Sequence, residues 1–225
     1  MVVLSKITTT GGDAGRTHLA DMSRVSKADP LIEAVGALAE ANAALGVARA
    51  AGLAPALDQL AQRLQQECFD VGADLATPLP AAPAGARPSP RAGAALAQGW
   101  AAVARDLSEQ LGPLRSFALP GGPMPAAQLH LATAVARRAE RAAWAAAQAR
   151  GVDQPGGLNS AALVWLNRIS DALFLMARAA ACGREELWQP RRGPAGGAQT
   201  GSPPVGPASI QDNRPVEAPR EISSR

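Results

Sequence analysis

The run Thr8-Thr9-Thr10-Gly11-Gly12-Asp13-Ala14-Gly15-Arg16-Thr17-His18 is dense in glycine and threonine and has no large apolar residue with which to build a core. Glycine lets the backbone reach positive φ and lets amides converge on an oxygen-rich ligand, while threonine hydroxyls add donors without bulk. The segment therefore suits a loop that wraps an anion such as a phosphate chain. A phosphate-binding P-loop needs glycine, four residues, then Gly-Lys-Ser/Thr; here Asp13 interrupts the run and Arg16-Thr17 follow, which disfavours a Walker ATPase. Taken alone, the run reads equally as a mobile turn near the N-terminus.

Two further groups carry charge and polar edges at helical spacing. His130, Thr133, Arg137 and Glu140 or Arg141 follow a three-to-four-residue step and so share one helix face. Such a column is a solvated face with its charges paired along the helix, or, opposite an anion loop, a source of cations for phosphate. Asn167, Asp171, Phe174 and Arg178 share a face of a later helix, and Arg168 lies three residues before Asp171, within reach of an intrahelical ion pair. Asn167 is a poor residue for a helix interior; its carboxamide both donates and accepts, which serves a nucleotide's polar edge or a hydrogen bond inside a bundle.

The elements that must position these residues are helices. Asp29-Pro30 is an N-cap followed by proline, opening an alanine-rich helix that runs to about Ala51 with Gly52 as terminator. Pro55 opens a second, with Leu57, Leu60, Leu64, Val71 and Leu75 at roughly helical spacing and Phe69 one step out of register. A third runs from about Gly93 to Leu111 with a stripe of Leu96, Trp100, Val103 and Leu107, and Pro113 ends or kinks it. A fourth spans about Ala126 to Arg150, and a fifth about Asn159 to Cys182 with Gly183 as C′ residue. No segment reads as a strand. The expected fold is all-α, a ferritin-like up-down bundle of five helices behind a Gly-rich N-terminal loop.

Composition narrows the function further. Residues 184–225 are rich in Pro, Gly, Ser and Gln without apolar periodicity and read as a disordered tail, leaving 1–183 as the folded domain; Ala76 to Gly93 reads as a long surface connection. A net charge of +3, an aromatic content of 3% and the absence of tyrosine argue against nucleic-acid binding. The N-terminus has no secretory pattern, and charges interrupt the alanine-rich stretches before they would span a bilayer, so no membrane association is expected. Cys68 and Cys182 lack metal-ligand spacing and are expected as buried, reduced thiols in a cytoplasmic protein.

Seven blocks in order resemble the PduO-type ATP:cob(I)alamin adenosyltransferases: Thr9 to Thr17, Ser23-Arg24-Val25-Ser26-Lys27-Ala28-Asp29-Pro30, Glu33-Ala34-Val35-Gly36 with Glu40-Ala41-Asn42, Phe117-Ala118-Leu119-Pro120-Gly121-Gly122, Leu129-His130-Leu131-Ala132, Arg137-Arg138-Ala139-Glu140-Arg141, and Leu166-Asn167-Arg168-Ile169-Ser170-Asp171. The resemblance implies a homotrimer with sites between subunits, in which Co(I) of reduced cobalamin attacks the 5′ carbon of ATP and triphosphate leaves. It further implies ATP, accompanied by Mg²⁺, and cobalamin as substrates, with no metal held by protein side chains. It implies an ATP site of Thr9, Thr10, Gly11, Gly12, Thr17, His18, Lys27, Arg137, Arg138, Ala139, Glu140, Arg141 and Asn167. Phe117 would lie near the corrin and displace the lower axial ligand, with Arg168 and Asp171 in the cobalamin region; Arg137, Phe117 and Glu140 take the catalytic roles. The product would pass to an adenosylcobalamin-dependent enzyme.

Three positions depart from the family's pattern: Thr10 for a basic residue, Ala39 for an aspartate and Thr133 for an arginine, with milder changes at Val35, Gly11 and Arg16. Loss of the basic residue removes roughly one charge-assisted hydrogen bond to triphosphate, about 1.5–3 kcal/mol in a desolvated site, unless Arg16 supplies the charge. Ala39 and Thr133 together look like the paired loss of an ion pair. These departures keep open a non-catalytic relative that binds or carries cobalamin or ATP.

Overall fold

Asp29 is extended (φ −66°, ψ 136°), its carboxylate accepts the Leu31 amide at 2.9 Å, and Pro30 takes the first turn, where no amide donor is needed. In the computed structural model this opens α1 (Pro30–Ala50), followed by α2 (Pro55–Leu75), α3 (Ala94–Leu111), α4 (Met124–Arg150) and α5 (Ser160–Ala181). The structure describes Thr8, residues 10–80 and residues 91–190. Thr9, most of the expected connection between α2 and α3, and most of the expected tail lie outside the described residues. The all-α, five-helix architecture holds, and Gly52 at φ +91° stops α1 where a residue with a Cβ would be strained.

α1 packs most extensively on α4, α4 on α5, α3 on α5 and α1 on α2. Ion pairs Asp29–Arg150, at 2.7 Å, and Glu40–Arg138 set α1 and α4 antiparallel. Alanines 34, 37, 41 and 48 of α1 and 132, 136, 139 and 143 of α4 are buried, so small side chains bring the two backbones together. Trp100 and Trp165, both fully buried, fill the wider space around α3 and α5. The α3 stripe is shallower than its spacing predicts: Trp100 is buried, whereas Leu96, Val103 and Leu107 are half-buried, because α3 lies at the edge of the bundle.

Four expectations need correction. A small antiparallel hairpin, β1 (Arg16–His18) and β2 (Arg24–Ser26), stands where no strand was expected; three-residue strands are too short for alternation to be legible. Cys182 is exposed, since it takes the left-handed conformation (φ 51°) that closes α5 and Gly183 follows at φ +75°. α1 and α5 do meet the length and composition of a membrane span, because the charges of α1 are too widely spaced to break an 18-residue window; in the bundle both bury apolar faces against their neighbours.

Fourth, residues past Arg184 make defined contacts with the rest of the chain. The main chain of 186–188 pairs with the Phe117 segment: Leu119 N–H donates to Glu186 at 2.8 Å, Trp188 N–H to Phe117 at 2.8 Å and Ser116 Oγ to the Trp188 carbonyl at 2.6 Å. The buried Arg178 guanidinium grips Glu185 through both carboxylate oxygens, at 2.8 and 3.4 Å. The bonds between the Phe117 segment and residues 186–188 join positions about 70 residues apart, 72 for Ser116 and Trp188, which composition alone does not reveal.

Candidate functional site

α4 and α5 meet in a surface cavity of about 500 Å³ lined by Arg137, Glu140 and Arg141 from one helix and Asn167 and Asp171 from the other. Glu140 accepts Asn167 Nδ2 at 3.0 Å, Arg168 Nη1 donates to Asn167 Oδ1 at 2.8 Å, and the same guanidinium lies 3.9 Å from Asp171. The Asn167 carboxamide is thus fixed in orientation, and the predicted Arg168–Asp171 pair is present. Arg141 donates to the Arg137 main-chain oxygen at 3.2 Å. The Arg137 guanidinium itself has no hydrogen bond or ion pair among the described residues, so Glu140 does not neutralise it. A solvent-facing fork of five N–H donors with no acid to engage it is a ready anion ligand.

The polar column on α4 does not share one environment. His130 and Thr133 are buried, Thr133 donating to the Leu129 carbonyl at 2.8 Å and His130 packing edge-on against Phe174 with centroids 5.9 Å apart, while Arg137 and Arg141 are exposed. Burial holds His130 below its ordinary pKa, against the pull of the Glu185 charge. Arg138 turns to Glu40 of α1, and Ala139 is fully buried in the core. Ala39 is exposed on α1 beside α2, and Thr133 is buried in α4.

The Gly-rich loop is compact. Asp13 N–H closes on the Thr10 carbonyl at 3.1 Å, Gly15 N–H on Gly12 at 3.2 Å, and Lys27 N–H on Gly15 at 2.9 Å; Thr10 and Gly15 take φ of 58° and 71°. Lys27 Nζ lies over Gly12, where an added Cβ would stand 2.9 Å from it, so the lysine reaches the loop. Thr17 faces inward opposite Val25, and His18 is exposed.

Arg137 and the loop lie apart within one chain. Asp29 ties the hairpin's end to Arg150, and Arg137 lies 13 residues earlier in α4, roughly 20 Å away at 1.5 Å per residue. Phe117 lies elsewhere again, before the N-terminal end of α4, 77% exposed and edge-on to Trp188 with centroids 6.2 Å apart. The structure thus brings together Arg137, Glu140, Arg141, Asn167, Arg168 and Asp171, gathers Thr10, Gly11, Gly12 and Lys27 in a second cluster, and leaves Phe117 apart from both.

Residues 7–180 match the profile of the family described as cobalamin adenosyltransferase. The chain belongs to the cobalamin adenosyltransferase family. A corrinoid adenosyltransferase of Mycobacterium tuberculosis is 40% identical over 193 residues, covering 84% of this chain and 95% of the relative. A cobalamin adenosyltransferase of Cupriavidus metallidurans is 38% identical over 196 residues, covering 84% and 97%. Among solved structures, a variant PduO-type ATP:corrinoid adenosyltransferase from Lactobacillus reuteri, complexed with cobalamin and ATP, superposes with a TM-score of 0.71 at 27% identity, covering 83% of this chain and 100% of that one.

For a cobalamin adenosyltransferase the cavity holds more than the motif blocks announce. Trp144, Gln148 and Ser170 also line it. Trp144 and Gln148 continue the step from Arg137 and Arg141, and Ser170 stands three residues after Asn167, so extending each helix face by one or two turns would have found them.

Proposed function

We propose that this chain transfers the 5′-deoxyadenosyl group of ATP to the cobalt of reduced cobalamin, at sites completed between subunits of a homotrimer. The observation that supports the intersubunit site is the division of unneutralised cations: Arg137 on the α4–α5 cavity, Lys27 on the glycine loop, roughly 20 Å apart along α4. A neighbouring chain's loop laid over the cavity gathers both around one triphosphate.

In this reading Co(I) attacks the 5′ carbon, the C–O bond to the triphosphate breaks, and its electron pair leaves with the phosphate oxygen. The chemistry needs no protein nucleophile. The chain contributes position and charge: Arg137 and Arg141, one turn apart, stabilise the departing triphosphate, and Asn167, held by Glu140 and Arg168, orients the nucleotide. Thr9, Thr10, Gly11, Gly12, Thr17, His18 and Lys27 form the loop side of the ATP site. Mg²⁺ would accompany ATP as part of the substrate and add to the charge that neutralises the triphosphate. Phe117, exposed and apolar, would lie against the corrin and favour loss of the lower axial ligand, which would ease reduction of Co(II) to the attacking Co(I) by a reductant supplied from outside the protein. The enzyme works in the cytoplasm and passes adenosylcobalamin to an enzyme that depends on it.

Mixing two defective subunits tests this directly. Lys27→Ala and Arg137→Ala should each lose most adenosyl transfer under anaerobic conditions with chemically reduced cobalamin. Co-expressed, they should regain about a quarter of the wild-type rate, because random assembly pairs an intact loop with an intact α4 at that frequency. A mixture no more active than its components overturns the intersubunit site, and a wild-type chain forming no adenosylcobalamin overturns the reaction.

A further inference from the structure

Opposed residues of an antiparallel pair share a face, so Arg16 with Ser26 and His18 with Arg24 lie on one side of the hairpin and Thr17 with Val25 on the other. Val25 packs against the core, which turns Arg16, His18 and Arg24 to solvent, where all three are exposed. The two guanidiniums are nonetheless fixed. Arg16 Nη2 donates to the Arg24 carbonyl at 2.8 Å, and Arg24 Nη2 donates to the Gly11 carbonyl at 3.1 Å.

No carboxylate pairs with either arginine among the described residues. Asp21 is bound to the Ser23 amide and hydroxyl, at 2.9 and 2.6 Å, and Asp29 to Arg150. Lys27 Nζ over Gly12 adds a third cation to the same loop. Like charges on one face of a two-stranded ribbon repel, and an arginine with one N–H engaged keeps four for another acceptor. Fixed, clustered cations beside exposed glycine backbone, at a place where Thr10 carries no charge, form a polyanion grip.

We propose that Arg16 and Arg24 bind the triphosphate of ATP alongside Lys27, an inference that rests on ATP being the substrate. The arginines hold phosphate and do not touch the reacting carbon, so their effect belongs in ATP binding and in inhibition by the triphosphate that leaves.

The test separates charge from local structure. Arg16→Gln and Arg24→Gln keep an N–H donor for the carbonyl each arginine now engages but remove the charge; Arg16→Lys and Arg24→Lys keep the charge. Each Gln variant should raise KM for ATP and weaken inhibition by inorganic tripolyphosphate by about tenfold, with kcat within about twofold of wild type, and each Lys variant should recover most of the loss. Gln variants that match wild type overturn the proposal, and so do Lys variants as impaired as Gln, which would mark a merely structural role. Calorimetric titration with tripolyphosphate reads the same difference without turnover. A wild-type chain that binds tripolyphosphate through these arginines but transfers no adenosyl group overturns the proposed reaction and leaves this assignment standing; a wild-type chain that binds no tripolyphosphate overturns the assignment.

Discussion

The two cysteines have opposite surroundings. Cys68 is buried in α2, where loss of water and the neighbouring Glu67 charge push its thiol up to about 12, so almost none is thiolate at neutral pH. Cys182 is exposed at the end of α5. Native protein at pH 8 should therefore react with one equivalent of a thiol reagent per chain and with a second only after unfolding; two fast equivalents would contradict the burial of Cys68. Both thiols sit in apolar helical stretches, which predicts both inside, and what separates them is one left-handed residue. At Arg137 residue type and spacing gave the exposed face and the neighbours Glu140 and Arg141, but not that Glu140 would be engaged by Asn167, 27 residues away.

At the scale of elements, α2, α3 and α5 meet at one carboxylate. Glu67 Oε2 accepts the indole N–H of Trp100 at 2.5 Å and of Trp165 at 2.8 Å, while Oε1 accepts Arg63 Nε at 2.8 Å. The Arg63 guanidinium in turn lies 4.9 Å over the Trp100 ring. Glu67→Ala leaves two buried indole donors without an acceptor and should destabilise the chain by about 3 kcal/mol, whereas Glu67→Gln keeps one acceptor oxygen and should cost less. Urea midpoints decide between these: an unchanged midpoint for Glu67→Ala would show that the hub carries no weight. Helix starts and stops were legible because Asp29, Pro30, Pro55 and Gly52 act on their own neighbours. The hub was not, since its partners lie 33 and 98 residues from Glu67 and nothing local marks a glutamate as buried.

For the whole molecule, acid is the weak side. His130 is held below its ordinary pKa by burial, so protons below about pH 6.5 bind the unfolded chain in preference and stability falls as pH drops. Asp29 also lies low: burial works against it, but the Leu31 amide and Arg150 prevail, and Asp58 is lowered by Arg49. Their contribution is present above the unfolded carboxylate range and lost as pH falls through about 4. The melting temperature should be level above pH 7, decline modestly to pH 5 and drop steeply below 4, and His130→Phe should remove the first decline; a flat wild-type profile from pH 7 to 5 would refute the role of His130. One further consequence of the fold concerns its synthesis. α1 is the earliest helix of the bundle, yet α4, its most extensive partner, is complete only about 100 residues later, a delay on a ribosome of roughly 5–20 s. Through that interval α2 is the partner that can cover α1, and since the emerging segment has the length and apolarity of a membrane anchor, much of its apolar face stays open until α4 arrives.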